Sequence, residues 1–241
     1  MEHHSNLVPW QLVCERTGAT LRWFDITDDG QLDLDKAERE GLINEHTKVV
    51  SLALASNVLG TINPVQRIAR WAHQVGAVVV VDASQAVPQM PVNVAELGAD
   101  LLAFTGHKML GPTGIGVLWG RYDLLDDLPP FLGGGEMIEV VHMTGSTYAK
   151  PPHRFEAGTP PIAQLAALGV AADYLDGVGM AAIAQREHQL AALMLEGLGS
   201  VPGVHILGPT DATTRTGTVS FTVDGVHPHD AMSIMDGRGV A

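Results

Sequence analysis

Hydrophobic and polar positions alternate in blocks over the first two thirds of the chain. Residues 48–54 form a nearly continuous apolar run, which is typical of a strand buried on both faces. A helical pattern follows, with apolar residues at i, i+3, i+4 and i+7: Val65, Ile68, Ala69 and Ala72. Gly76 ends this helix, and residues 76–81 form the next apolar run. Alternation of strands and helices predicts βαβ units and a parallel sheet.

Polar residues stand where the predicted strands end. The run 76–81 stops at Asp82, and a further strand over residues 100–104 leads to Lys108. Residues 114–120 predict one more strand. Open α/β sheets bind their ligands beyond the carboxyl ends of their strands. We therefore expect Asp82 and Lys108 at one edge of a mostly parallel sheet that is flanked by helices.

The pattern changes in the last third of the chain. Residues 129–161 contain three consecutive glycines and several prolines, which predicts an irregular loop ordered by its contacts. Residues 162–198 are Ala-rich and helical, with a break near residues 177–179. Residues 216–223 alternate like a half-buried strand, and a helix-like stretch begins at His229. We predict a large sheet domain over residues 1–161, followed by connecting helices and part of a small α+β domain over residues 162–241.

Composition excludes several classes of protein. With 46% hydrophobic and 17% charged residues among 241, the chain can bury a core. A formal net charge of -13 argues against nucleic acid as a partner. The apolar runs are too short to cross a membrane, and the first residues lack a secretory pattern.

The cysteine and the histidines give no separate site. Because the first residues lack a secretory pattern, we expect cytoplasmic residence, and the single cysteine, Cys14, fits a reducing compartment. Its apolar helical setting predicts a small buried side chain rather than a nucleophile. The 11 histidines show no ligand spacing, so we expect no metal site.

The predicted edge carries a recognisable chemistry. Alone, Asp82 or Lys108 would be interpreted as a solvated strand end. Together, a carboxylate and an amine at neighbouring strand ends match the needs of pyridoxal phosphate. Its ring withdraws electrons when a carboxylate keeps the pyridine nitrogen protonated, and an amine on a rigid backbone can bind it covalently.

Several motifs resemble the class V aminotransferase family, and within it the cysteine desulfurases of the Suf type. They are Glu-His-His-Ser-Asn at 2–6, Ser-Asn-Val-Leu-Gly at 56–60, Val-Asp-Ala-Ser-Gln-Ala at 81–86, Thr-Gly-His-Lys at 105–108, Gly-Pro-Thr-Gly-Ile-Gly at 111–116 and Arg-Phe-Glu-Ala-Gly-Thr-Pro at 154–160. The resemblance runs from end to end of the chain. It implies the large domain of a type I pyridoxal-phosphate-dependent transferase.

The resemblance implies catalytic roles for two residues and cofactor contacts for several more. Lys108 would bind the cofactor covalently, and His3 would stack on the pyridine ring. Asn57 would lie near the cofactor oxygen and the substrate carboxylate. Asp82 would pair with the ring nitrogen, and Gln85 with the phenolic oxygen. Without the resemblance, His3 would be an exposed histidine, Asn57 a loop cap and Gln85 a polar residue at a helix start.

The resemblance assigns three further residues to the cofactor phosphate. Thr105 and His107 would bind it, a role that hydroxyl and imidazole donors can fill, although structural hydrogen bonds are the alternative. Thr159 would reach the phosphate of a neighbouring subunit, which implies a homodimer. In isolation, Thr159 would be interpreted only as part of a turn.

The implied activity is removal of sulfur from L-cysteine, giving alanine and a persulfide that is passed to an acceptor protein for iron-sulfur cluster assembly. Three family features are not matched here: a phosphate-binding loop, a nucleophilic cysteine and an arginine that binds the substrate carboxylate. We therefore expect a chain truncated at both ends and little or no turnover by it alone. A selenocysteine lyase, another class V member and an inert or merely dimerising fragment are the alternatives.

Overall fold

The computed structural model describes residues 1–240, and its centre is a four-stranded sheet. The strands are β1 (Val49–Ala53), β2 (Val78–Asp82), β3 (Leu101–Thr105) and β4 (Gly116–Gly120), in that spatial order. Neighbouring strands β1, β2 and β3 are parallel, and β4 runs antiparallel to β3. The predicted α/β fold with a mostly parallel sheet is confirmed.

Eight α-helices lie within residues 1–240. They are α1 (Val8–Thr17), α2 (Leu34–Arg39), α3 (Val65–Gln74), α4 (Val94–Leu97), α5 (Tyr122–Asp127), α6 (Ile162–Val178), α7 (Met180–Gly199) and α8 (Pro228–Asp236). The predicted apolar stripe of α3 is confirmed, because its four members are at most 1% exposed. Gly76, with φ of 76°, follows this helix in a left-handed conformation that favours glycine.

The two faces of the sheet differ in burial. On the inner face, Val79, Val81 and Leu102 are buried in one apolar cluster with α3. Alternate residues of a strand point to opposite faces, so Val80 and Asp82 share the other face, which we call the outer face. Val80 and Asp82 are both half-buried. The outer face is therefore the more open side of the sheet.

Residues 129–161 are more regular than predicted. An antiparallel hairpin forms from β5 (Ile138–His142) and β6 (Gly145–Tyr148), and a short 3-10 turn spans His153–Phe155. The prediction of an irregular loop was wrong for the hairpin. The flanking glycines and prolines concealed a short run of strand-forming residues, Ile138 to Val141, on the first arm.

The last third is built from two long helices and a two-stranded sheet. The predicted break between helices is confirmed, because α6 and α7 meet at Gly179 and are bent by 73°. Strands β7 (Val204–Leu207) and β8 (Ser220–Val223) pair antiparallel. Strand β8 begins later than predicted because the backbone of Thr216 bonds to Gly60 instead. The division into domains at residue 161 stays a prediction.

The length and hydropathy of a helix decide whether it could span a membrane. Within residues 1–240, no single helix is long and apolar enough to cross a membrane. Helices α6 and α7 pass only as a bent pair, by length and composition.

Candidate functional site

Asp82 stands at the carboxyl end of the central strand pair. The peptide group that joins Asp82 to Ala83 is held on both sides, because Leu54 N donates to Asp82 O at 2.8 Å and Ala83 N donates to Ala103 O at 2.8 Å. The side chain accepts one hydrogen bond, from Ser84 N to Oδ1 at 2.9 Å. No side chain among residues 1–240 forms an ion pair with this carboxylate. Asp82 therefore offers a rigidly placed acceptor to a ligand.

Lys108 follows β3 in a short 3-10 turn that spans Gly106–Lys108. The turn is pinned by backbone hydrogen bonds, since Gly106 N donates to Ile115 O at 2.9 Å and Gly111 N donates to Gly106 O at 2.9 Å. Gly106 is required here, because a Cβ would lie 2.9 Å from Ile115 Cγ2. The lysine is half-buried and, like Asp82, forms no ion pair within the described residues.

The lysine lines a cleft of about 270 Å³. The other lining residues come from the turn after β2, the loop after β3, α6 and α7: Pro88, Leu110, Tyr174, Leu175, Val178 and Ile183. This lining is mainly apolar. Within residues 1–240, no hydrogen bond joins the Lys108 amine to Asp82. The amine is thus available for covalent chemistry and has an apolar wall beside it.

The two predicted phosphate ligands contact each other. Thr105 Oγ1 lies 2.8 Å from His107 Nδ1. Thr105 is on the outer face, two residues beyond Ala103, which is the register partner of Asp82. His107 is exposed. The structure therefore brings Thr105 to the same face and the same edge as Asp82.

Gln85 and Asn57 belong to the loops that follow β2 and β1. The carbonyl and Oε1 oxygens of Gln85 accept from Gln89 Nε2, at 2.9 Å and 3.3 Å. Asn57 is half-buried in a tight loop, where Gly60 N donates to Ser56 O at 3.1 Å. Because β1 and β2 are parallel neighbours, both loops leave the sheet at the edge that carries Asp82.

His3 reaches this edge through its neighbours. The ring is exposed, and its Nδ1 lies 2.8 Å from Ser5 Oγ. Glu2 Oε1 accepts from Ala53 N at 3.0 Å, and Ala53 is the register partner of Asp82. Glu2 therefore docks the first residues on the open side of β1, beside the candidate site.

A second contact strengthens this docking. Asn6 Nδ2 donates to Glu2 Oε2 at 2.6 Å, and Ser51 Oγ donates to Asn6 Oδ1 at 2.6 Å. Sequence reasoning included Glu2 and Asn6 only as members of a motif and gave them no role. Glu2 lies outside any helix, so the i, i+4 rule for helical side chains gave no signal for this pair.

Thr159 and Cys14 stand apart from this edge. Thr159 is exposed after Gly158, whose N donates to Gly135 O at 2.9 Å. It forms no hydrogen bond with the other predicted site residues. Cys14 lies on α1 and is half-exposed, so the prediction of a buried side chain was wrong. Helix α1 buries none of its residues. Among the described residues, no cluster of three metal-ligating side chains is present.

The chemistry of the donor set fits pyridoxal phosphate. A carboxylate and an amine without ion-pair partners lie at neighbouring strand ends, with hydroxyl, imidazole and amide groups on the same edge. These are the groups needed for a pyridine nitrogen, an aldehyde and a phosphate.

Comparison with known proteins shows what the chain is similar to. The family model described as Aminotransferase class-V matches residues 1–241. A relative named probable cysteine desulfurase, from Streptomyces coelicolor, is 59% identical over 241 residues, covering 100% of this chain and 57% of the relative. The chain thus spans a little over half the length of this relative.

Solved structures show the same likeness. An apo cysteine desulfurase from Thermococcus onnurineus NA1 has a TM-score of 0.93 and 41% identity, covering 99% of this chain and 59% of that one. The cystine C-S lyase C-DES, in complex with cysteine persulfide, has a TM-score of 0.85 and 27% identity, covering 99% and 64%. Another structure of C-DES, a mutant, carries glycine covalently linked to its PLP cofactor.

Proposed function

Because the chain belongs to the class V aminotransferase family, we propose that it forms part of a pyridoxal-phosphate-dependent cysteine desulfurase. The reaction would take sulfur from L-cysteine, leaving L-alanine and an enzyme-bound persulfide. The observation that carries the proposal is the edge shared by Asp82 and Lys108. Both groups lack ion-pair partners among residues 1–240. The backbone of Asp82 is fixed by the sheet, and that of Lys108 belongs to a turn held by backbone hydrogen bonds.

Each residue at this edge has a proposed task. When bound, pyridoxal phosphate withdraws electrons from the substrate carbon. The Lys108 amine would hold the cofactor and move the proton at that carbon. The Asp82 carboxylate would accept a hydrogen bond from the ring nitrogen and so keep it protonated. His3 would stack on the ring and shield it from water.

The remaining polar residues would orient the cofactor. Gln85 would donate to the phenolic oxygen, and Thr105 and His107 would bind the phosphate. Asn57 would contact the substrate carboxylate. Thr159 would reach the phosphate of a second copy, so a homodimer with shared sites is part of the proposal.

The wider role is also proposed. The persulfide would pass to a sulfur-acceptor protein of iron-sulfur cluster assembly, in the cytoplasm. A single cysteine among 241 residues fits a reducing compartment. Cell fractionation, and capture of an acceptor that leaves with labelled sulfur, would test these two points.

Labelling of Lys108 tests cofactor binding. We expect the purified chain to show the absorption band of lysine-bound pyridoxal phosphate, and borohydride to fix the cofactor on Lys108 in a peptide map. Lys108→Ala should abolish the label. Lys150→Ala is the matched control, because Lys150 is exposed and pairs with Asp126 at 2.9 Å. No band, or a label on other lysines instead, would refute the proposed site.

Product analysis tests the reaction class. With L-cysteine and a thiol reductant, a desulfurase releases alanine and sulfide, whereas a C–S lyase that eliminates the sulfur from L-cysteine would release pyruvate, ammonia and sulfide. We expect alanine, at low turnover from these 241 residues alone. Selenocysteine in place of cysteine tests the alternative that the protein is a selenocysteine lyase. Pyruvate as the main product would refute desulfuration.

A further inference from the structure

Arg215 is the largest side chain with less than 2% exposure, and its own exposure is 0%. It lies between the short turn at residues 212–214 and β8. Its guanidinium donates to three backbone carbonyls, those of Pro209, Thr218 and Leu59, the last from Nη2 at 2.9 Å. No carboxylate pairs with it among residues 1–240.

One of these carbonyls belongs to the loop that carries Asn57. Leu59 is two residues beyond Asn57, and 156 positions separate it from Arg215 along the chain. Ser220 Oγ also donates to the carbonyl of Val58. The last third of the chain therefore holds the two residues that follow Asn57 by hydrogen bonds to their carbonyls.

Backbone pairing adds to these hydrogen bonds. Ile62 N donates to Thr214 O at 3.0 Å, and Thr216 N donates to Gly60 O at 2.9 Å. Gly60 has φ of 73°, and a Cβ there would lie 2.5 Å from Thr218 O. The close approach thus needs glycine at this position. The loop between β1 and α3 and the segment before β8 form one pinned junction.

Burying a guanidinium without a carboxylate partner is unfavourable unless hydrogen bonds compensate for the water that it loses. Arg215 Nε has no partner within the described residues, and burial lowers the pKa of the group. A lysine could not reproduce the contacts, because its donors radiate from one nitrogen whereas the guanidinium fork spans separated acceptors. The side chain is thus specific to joining these three segments.

We propose that Arg215 is a positioning residue that fixes Asn57 at the carboxyl edge of the sheet by holding the carbonyl of Leu59. The packing of the last third of the chain against this loop would then set the geometry of the cofactor and substrate site. The inference rests on the proposed function where it assigns Asn57 to that site.

Hydrogen exchange tests the junction without any cofactor. Opening the junction should raise the exchange rates of the Gly60, Ile62 and Thr216 amides in Arg215→Lys by about 10-fold, while amides of α3 keep their rates. Arg70→Lys is the matched control, since Arg70 is exposed on α3. Arg215→Met, which keeps the volume and removes the donors, gives a second variant should the lysine fold poorly. Unchanged loop exchange, or a uniform rise across the chain, would overturn the proposal.

Cofactor binding tests the action through Asn57. We expect Arg215→Lys and Asn57→Ala each to raise the dissociation constant for pyridoxal phosphate by about 10-fold. The double variant should have a dissociation constant no higher than that of Asn57→Ala. Additive losses would show that Arg215 acts elsewhere and would overturn the proposal. If the wild-type chain takes up no pyridoxal phosphate, the proposed function fails, and the loop exchange alone decides whether Arg215 fixes Asn57.

Discussion

Asp100 shows how a single buried carboxylate ties several elements together. It is 3% exposed and accepts from Val79 N at 2.8 Å and from Arg121 Nη1 at 2.8 Å. His73 Nε2 lies 2.9 Å from Oδ2, the oxygen that also accepts from Val79 N. Burial opposes ionisation, but the hydrogen bonds from Val79, His73 and Arg121 outweigh it and hold the pKa of Asp100 below its ordinary value. The ionised form therefore stabilises the fold.

Asp100→Asn should destabilise the chain near neutral pH. The amide keeps the shape but loses charge-assisted hydrogen bonds, which are worth about 1.5–3 kcal/mol. Urea unfolding would measure the loss, with the exposed Asp173→Asn on α6 as control.

The pH dependence has a defined sign. A depressed folded pKa gives stability that is present above the ordinary pKa, about 4, and is lost as the pH falls through the folded value. The wild type should lose stability in this acid range more steeply than Asp100→Asn. Equal slopes would contradict the role given to Asp100.

Glu2→Ala should release the first residues from β1. The Ala53 amide would then lack an acceptor on the open side of the strand, and its hydrogen exchange should rise by about 10-fold. His3, the next residue, would no longer be held at the edge, so uptake of pyridoxal phosphate should weaken. Glu15→Ala, exposed on α1, is the control. Unaltered exchange at Ala53 would refute the docking role.

At the scale of the elements, helix α3 packs on strands β1 and β2. Ile68 is 0% exposed in the apolar cluster with Val79 and Val81. Ile68→Ala should lower the free energy of unfolding by about 2–5 kcal/mol, because a cavity replaces its methyl groups. Arg70→Ala, on the exposed side of the same helix, should change it by less than about 0.5 kcal/mol. Comparable losses in both variants would contradict the assigned inner face.

Elements with a strong repeat could be predicted from the sequence, and those set by distant contacts could not. The stripe of α3 and the apolar runs of β1 and β2 are local patterns, so their positions followed directly. The hairpin of β5 and β6 was missed because glycine and proline dominate its surroundings. Strand β7 went unpredicted because its four residues form too short a pattern.

In the candidate site too, local features could be predicted from the sequence and distant contacts could not. Asp82 and Lys108 follow apolar strands, so their common edge could be predicted from topology. The contacts of Glu2 and Arg215 join residues 51 and 156 positions apart, and no local pattern marks such pairs. The motif resemblance singled out His3. Only the structure shows that the carboxylate of its neighbour, Glu2, bonds to β1.

Across the whole molecule, large apolar side chains are exposed on several elements, and two of these surfaces are the outer face of the sheet and the hairpin. On the outer face of the sheet, Leu118 of β4 is 58% exposed. Around the hairpin, Phe131 is 86% exposed and Met143 is fully exposed. Exposed apolar patches of this kind promote association between proteins.

The chain should therefore self-associate in solution, and its charge should control how strongly. A formal net charge of -13 makes copies repel each other, and added salt screens this repulsion. The apparent mass by light scattering should rise with salt in the wild type. It should rise less in Leu118→Asn if the outer face of the sheet makes the contact, and less in Phe131→Ser if the hairpin surface makes it. Leu193→Asn, an exposed leucine of α7 on neither surface, should behave as the wild type. A mass that is independent of salt and equal in all variants would mean that neither surface drives association.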